Sequence, residues 1–360
     1  MSDHFGTFFV PGPTEVRPEI LQAMVQPMMA HRGPAYEALH RRVVQGLQHV
    51  FRTTRPVYLM TASATALMEA AIRCAPQGPV LALVNGAFSE RFARVAQSCD
   101  RRTRVLTVPW GETHPLDLVE QVLGDEPFAA MTVMHSETST GAVSDVRALT
   151  ALAHRYGAMA LVDSVSGIGG MPLETDAWGV DLVFTGSQKA LALPPGMAFG
   201  VASASYILQA QATPARGRYL DLVEYEQFAA RDQVPHTPAL PILHAADAQL
   251  ARIVDEGIAL RWSRHAAMLA LCERWVDACV AAGLGISMLP RADERSATVS
   301  AIMLPEGRRA SAVVARVAER GFIVATGYGQ MRESMIRIGH MGDHTVETLS
   351  GCLDAVRRSL

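Results

Sequence analysis

The sequence predicts a mixed α/β protein: a large, mainly parallel sheet of seven-stranded type flanked by helices, followed by a smaller α+β unit. Three observations carry that prediction. Short apolar runs alternate with segments of helical period through most of the chain, which is the signature of βαβ units. A long helical stretch, roughly Ile242 to Ala282, then leads into a second and shorter set of strands. With 360 residues, 49% of them hydrophobic, the chain can bury a large core and exceeds the size at which single cores stop growing, so two domains are expected. The expected divisions are an N-terminal arm over 1–15, a large domain over 16–250 and a small domain over 251–360.

After an irregular start with Pro11-Gly12-Pro13, apolar residues recur at helical spacing from Tyr36 to Phe51, predicting an amphipathic helix. Strands are expected at the short apolar runs Val57–Met60, Val80–Val84, Val105–Val108, Ala129–Met134, Met159–Val162 and Leu182–Phe184. Between them, Ala64–Cys74, Glu90–Ser98, Leu116–Leu123 and Val146–Tyr156 carry the helical period. Ala198–Ala202, after Pro194-Pro195-Gly196, supplies a neighbouring strand, and the smaller unit has strands near Ala297–Leu304 and Ser334–Ile338.

A net charge of −3, with no basic tail and no run of like charge, gives no reason to expect nucleic acid or an anionic membrane as partner. The natural partner is a small molecule. Cysteines 74, 99, 272, 279 and 352 are scattered and lack CxxC or Cys/His metal spacing, so they read as reduced thiols in a reducing compartment, with no metal site. Residues Met1 to Thr7 lack the basic region and apolar core of a secretory signal, and no apolar stretch reaches the roughly 18 residues of a membrane span. A soluble, cytoplasmic protein is expected.

Of the 32 Lys and Arg residues, only Lys189 is a lysine. A lysine amine can lose its proton and form a Schiff base with a carbonyl, as in pyridoxal-phosphate enzymes, whereas arginine stays charged. In open α/β sheets functional groups gather beyond the carboxyl ends of the strands. Thr61 to Thr65, Asn85 to Phe88, His135 to Thr138, Asp163 and Lys189 all fall at such ends, so one pocket is expected from five strands. An aspartate paired with a pyridine nitrogen keeps it protonated, which lets the ring accept electrons from a broken Cα–H bond; Asp163 could equally cap a helix. Ser63, Ala64 and Thr65 precede a helix, where backbone N–H groups and the helix dipole bind a phosphate. Phe88 could stack on the ring or simply pack, Thr138 and Gln188 could bond its polar groups, and Arg337 could clamp a carboxylate with its guanidinium fork.

Taken together, Pro11-Gly12-Pro13, His135-Ser136-Glu137-Thr138-Ser139-Thr140-Gly141, Val162-Asp163-Ser164-Val165 and Gly186-Ser187-Gln188-Lys189-Ala190-Leu191 resemble the class V aminotransferases, most closely the alanine–glyoxylate and serine–pyruvate aminotransferase group. The resemblance runs through nearly the whole chain to Ile336-Arg337-Ile338-Gly339 and is most specific between His135 and Gly196. It implies a fold type I pyridoxal 5'-phosphate enzyme that works as a homodimer with sites at the interface. Its substrates would be a small amino acid and a 2-oxo acid such as glyoxylate or pyruvate. Lys189 would hold the cofactor as a Schiff base, Asp163 would pair with its ring nitrogen, and Ser63, Ala64, Thr65 and Gln188 would line the phosphate and ring. Phe88 stands where the group usually has tryptophan, Thr138 matches the hydroxyl near the ring oxygen, and Thr237 matches a threonine that reaches the partner subunit's phosphate. Arg337 and Gly12 would contact substrate. Ala64, in a loop the family commonly makes glycine-rich, and Val234, where it often has tyrosine, depart from the pattern.

Other readings stay open. A 2-aminoethylphosphonate transaminase or a β-elimination lyase would reuse the same lysine and aspartate, and a non-catalytic protein could share the fold. A cysteine desulfurase is disfavoured because Gly321 to Gly342 holds no cysteine, and a nicotinamide-dependent dehydrogenase because no GxGxxG follows the first strand.

Overall fold

The computed structural model describes residues 5–360, so the first four residues of the expected arm lie outside the described residues. A seven-stranded sheet runs in the order Tyr58–Met60, Ala198–Ala202, Leu182–Gly186, Met159–Asp163, Ala130–Met134, Val80–Val84, Thr103–Thr107. Ala198–Ala202 is antiparallel to both its neighbours, and every other pairing is parallel.

The central strands Val80–Val84, Ala130–Met134 and Leu182–Gly186 are buried along their whole length, as a sheet covered on both faces requires. Successive side chains enter different cores: Val183 packs in one, Leu182 and Phe184 in the other. The first core takes in residues of helices Pro34–Phe51, Leu116–Asp125, Val146–Arg155 and Leu240–Glu256. The second takes in residues of Ala64–Cys74, Ala87–Ser98, Ala204–Ala212 and Leu222–Ala229. The edge strand begins at Thr103 rather than Val105, because an edge needs few apolar residues and Val105 is itself exposed.

The stretch from Ile242 to Ala282 is two helices rather than one. Gly257, at φ +79°, ends Leu240–Glu256 in a left-handed conformation that a side chain rarely adopts, and Ile258–Ala281 starts anew. Pro241 stands in the first turn of the earlier helix, where its missing N–H costs nothing.

The smaller sheet has five strands where two were expected, in the order Phe8–Phe9, Ile323–Thr326, Met335–Gly339, Val299–Met303, Ser287–Met288. Two of the additions are only two residues long, too short to show a period. The arm is therefore not free-standing: Phe8 and Phe9 pair in parallel with Ile323 and Val324, and the Glu15 carboxylate accepts the N–H groups of Gly6, Thr7 and Phe8. No described helix is long and apolar enough to cross a membrane.

Candidate active site

Lys189 lies on the turn after Leu182–Gly186, and Asp163 is the last residue of the adjacent strand. Both are buried. They border one cavity of about 250 Å³ together with Ser63, Ala64, Thr65, Phe88, Thr138 and Gln188, so the strand-end residues do converge.

Burial, reinforced by the neighbouring Arg337 charge, lowers the Lys189 amine to about 8. Burial raises the Asp163 carboxyl to about 7, opposed by the Val165 N–H that donates to its Oδ1 at 2.8 Å and by the Lys189 charge. No regular helix follows Asp163, so it is not the cap of one. Lys189 Nζ donates to the carbonyl of Pro11. A Cβ on Gly12 would fall 2.6 Å from Lys189 Cδ and 2.7 Å from Nζ, and Gly12 has φ +112°, so the position needs glycine twice over.

Ser63 stands at the N-cap of Ala64–Cys74 in extended conformation, yet its hydroxyl caps nothing. Among the described residues, no protein acceptor is found for the N–H groups of Ala64 and Thr65. Thr138 Oγ1 is 2.5 Å from Ser166 Oγ, and Thr298 donates to the Ser166 carbonyl at 2.6 Å, which brings the smaller sheet onto this loop. Arg337 does not line the cavity; it is buried beside it, donating from Nε to Thr326 O at 3.0 Å and from Nη1 to Thr138 O at 3.1 Å. Thr237 is exposed and outside the cavity of its own chain. Its segment is nonetheless anchored near the Ser63 loop, since Ala239 N–H donates to Thr61 Oγ1 at 3.0 Å and His236 stacks on Tyr219, whose hydroxyl donates to Thr61 O.

Two residues escaped the sequence reading. Glu137, fully buried, accepts the N–H groups of Phe88 (3.3 Å), Ser89 (2.8 Å) and Ser139 (3.0 Å) and the hydroxyls of Ser89 and Ser139. It thereby seats the N-terminus of Ala87–Ser98 on a carboxylate, where the helix dipole favours one. A Cβ on Gly86 would lie 2.4 Å from Glu137 Cγ, so the approach needs that glycine. Arg91 lines the cavity one turn beyond Phe88, with its guanidinium 4.8 Å from the Phe88 ring centroid. The i, i+3 spacing from Phe88 was the available signal, and it requires knowing that the helix starts at Ala87 rather than Glu90.

The family described as Aminotransferase class-V matches residues 8–328. The chain belongs to the class V aminotransferases. It is accordingly a pyridoxal-phosphate-dependent aminotransferase with the α/β fold of that group. This aminotransferase is 34% identical to the L-aspartate–glyoxylate aminotransferase of Paracoccus denitrificans, over 96% of this chain and 89% of that one. It is 30% identical to the serine–glyoxylate aminotransferase of Methylorubrum extorquens, over 98% and 90% of the two chains. The crystal structure of alanine–glyoxylate aminotransferase from Nostoc sp. matches it with a TM-score of 0.90 at 30% identity, covering 98% of this chain and 94% of that one.

The cavity of the aminotransferase fits the cofactor chemically. One end offers free backbone donors and a hydroxyl at a helix N-terminus, as a phosphate requires. The end of strand Met159–Asp163 offers a buried carboxylate with few donors, as a protonated ring nitrogen requires. The same cavity is lined by Lys189 and Phe88, 5.9 Å from Nζ to ring centroid.

Proposed function

We propose that the enzyme transfers the amino group of a small amino acid, alanine or serine in type, to a 2-oxo acid such as glyoxylate or pyruvate. Lys189 is the covalent anchor and the proton carrier. The observation that carries this reading is the only lysine of the chain, buried, lowered to about 8 and sharing one cavity with Asp163. The serine–glyoxylate and alanine–glyoxylate activities named for two relatives support the substrate classes.

Ser63, Ala64, Thr65 and Gln188 would hold the phosphate end of pyridoxal phosphate, Phe88 the ring face, Thr138 the ring hydroxyl and Asp163 the ring nitrogen. Bound there, the cofactor supplies a carbonyl for amines and a ring that accepts the electron pair of a broken Cα–H bond. Lys189 would take the proton from the donor Cα. A base lowered to about 8 is close to neutral pH, where it is both deprotonated often enough and basic enough to work. Arg337, held by two backbone carbonyls, presents its remaining donors to the α-carboxylate of the substrate. Gly12 leaves the space in which the tip of Lys189 sits.

The working form we propose is a cytoplasmic homodimer. Thr237, exposed and outside its own cavity, then serves the partner's phosphate site, and five cysteines without a disulfide suit a reducing compartment.

The absorbance of the purified protein between about 300 and 500 nm, recorded before and after adding alanine, serine or aspartate, tests the reading. A cofactor band that shifts with a donor, and is missing in Lys189→Ala, is expected. A colourless protein that pyridoxal phosphate cannot reconstitute would overturn it.

A further inference from the structure

We infer that Tyr328 is a positioning residue for the carboxylate end of the substrate: its ring face holds the Arg337 guanidinium in place and ties it to the Phe88 ring. The role rests on the reading of Arg337 as the clamp for the α-carboxylate.

Arg337 is a buried cation with donors to spare. Nε donates to Thr326 O and Nη1 to Thr138 O, which leaves the other N–H groups of the fork for a ligand. A cation that has lost its water needs compensation, yet a protein carboxylate paired with it would compete with the substrate for those same donors. Among the described residues Arg337 forms no ion pair. The Glu137 carboxylate, although its charge reaches Arg337, is taken up by the N–H groups of Phe88, Ser89 and Ser139. An aromatic face meets both demands: its quadrupole attracts the cation and leaves the free N–H groups open to the substrate. Arg337 Cζ lies over the Tyr328 ring, 5.5 Å from its centroid.

The ring is itself held in place. Tyr328 lies in the turn that joins strands Ile323–Thr326 and Met335–Gly339, the hairpin that also carries Thr326 and Arg337. Gly327 N–H donates to Met335 O at 2.6 Å and Met331 N–H to Tyr328 O at 3.0 Å, which closes the turn. A Cβ on Gly329 would fall 3.1 Å from Trp110 Cη2, so the turn lies directly against the loop that follows strand Thr103–Thr107. Phe88 completes the seat, with the two ring centroids 5.4 Å apart and the planes at 38°. Tyr328 is thus the spacer between the side chain proposed for the substrate carboxylate and the one proposed for the cofactor ring. Their separation fixes where a carboxylate stands relative to the reacting carbon, and a misplacement of about 1 Å there is costly.

Tyr328 is 36% exposed and lines an outer cavity of about 370 Å³ with Trp110 and Gln330, so replacing it opens no hole in a core. The test titrates the holoenzyme with two amines and follows the cofactor absorbance: alanine, and ethylamine, which is alanine without its carboxylate. In Tyr328→Leu the half-saturating concentration of alanine is expected to rise on the order of tenfold, while that of ethylamine stays within about twofold. Tyr328→Phe keeps the ring face and should return alanine to within about threefold of wild type. Turnover of alanine with glyoxylate should show the same loss in KM, with kcat within about threefold. Equal losses for the two amines would show that Tyr328 only supports Phe88 and would overturn the role. So would an unchanged response to alanine in Tyr328→Leu, or a loss in Tyr328→Phe as large as in Tyr328→Leu. A second readout needs no cofactor: phenylglyoxal should modify Arg337, followed by peptide mass mapping, on the order of fivefold faster in Tyr328→Leu than in wild type. Equal rates there sink the role. A wild type whose spectrum no amine shifts sinks the transaminase reading instead, and the phenylglyoxal rates still decide whether Tyr328 holds Arg337.

Discussion

Lys189 is the only side-chain amine in the protein, so its ionisation can be followed without interference from other lysines. Its amine is lowered to about 8 by burial and by Arg337, against an ordinary value of about 10.5. Only the neutral amine is a nucleophile, so carbamylation of Lys189 by cyanate in the cofactor-free protein should accelerate as pH rises and level off above about 8. Peptide mass mapping across pH 6 to about 11 gives the midpoint, and a value near 10.5 would show an ordinary, solvated amine. Lys189 and Asp163 were legible in the sequence because one is unique and the other closes an apolar run. Glu137 was not, although it stands in a quoted motif. Its partners are backbone N–H groups and two serine hydroxyls up to 49 residues away, and backbone groups leave no trace in residue identity.

At the scale of the element, Ala87–Ser98 carries two of the groups that face the cavity, Phe88 and Arg91, and its first turn rests on Glu137. Glu137→Gln keeps the shape but removes the charge facing the helix N-terminus and turns one acceptor into a donor facing N–H and O–H groups. A loss of about 2–4 kcal/mol in denaturant unfolding is expected, together with a raised KM as Phe88 and Arg91 shift. A loss below about 0.5 kcal/mol would show that water replaces the carboxylate without cost. The helix was legible from its period but its start was not, because the group that caps it comes from another strand end. The break at Gly257 was equally hidden, since both helices flanking it keep an apolar face and only the left-handed φ separates them.

For the molecule as a whole, the parallel sheet was legible because buried strands are continuous apolar runs. The smaller sheet was not, because its short strands draw their order from pairing partners far along the chain. Burial also sets the response to acid. His40, His135, His340 and His344 are each pushed down to about 4, below the unfolded value near 6.5. Between those values the unfolded chain binds protons that the native state refuses, so stability should fall as pH drops from about 6.5 towards 4. Asp163, raised to about 7 in the folded state, works in the opposite direction and offsets part of the effect in the cofactor-free protein. Thermal unfolding between pH 7 and about 4.5 checks the sign, and an unchanged Tm would contradict it.

The arm that supplies the Pro11 carbonyl to Lys189 and the Thr14 N–H to Gln188 begins as a strand on the smaller sheet. His344, which stacks on Phe9 and bonds the Phe8 carbonyl, lies 336 residues downstream of Phe8. The segment that faces the lysine is therefore held by partners far along the chain, and the large sheet, which uses none of them, can form while the lysine still lacks its neighbour. Completing the site thus waits on the smaller sheet, and a chain cut short ahead of Ile323 keeps the strands of the large sheet but loses the partner that seats the segment facing Lys189.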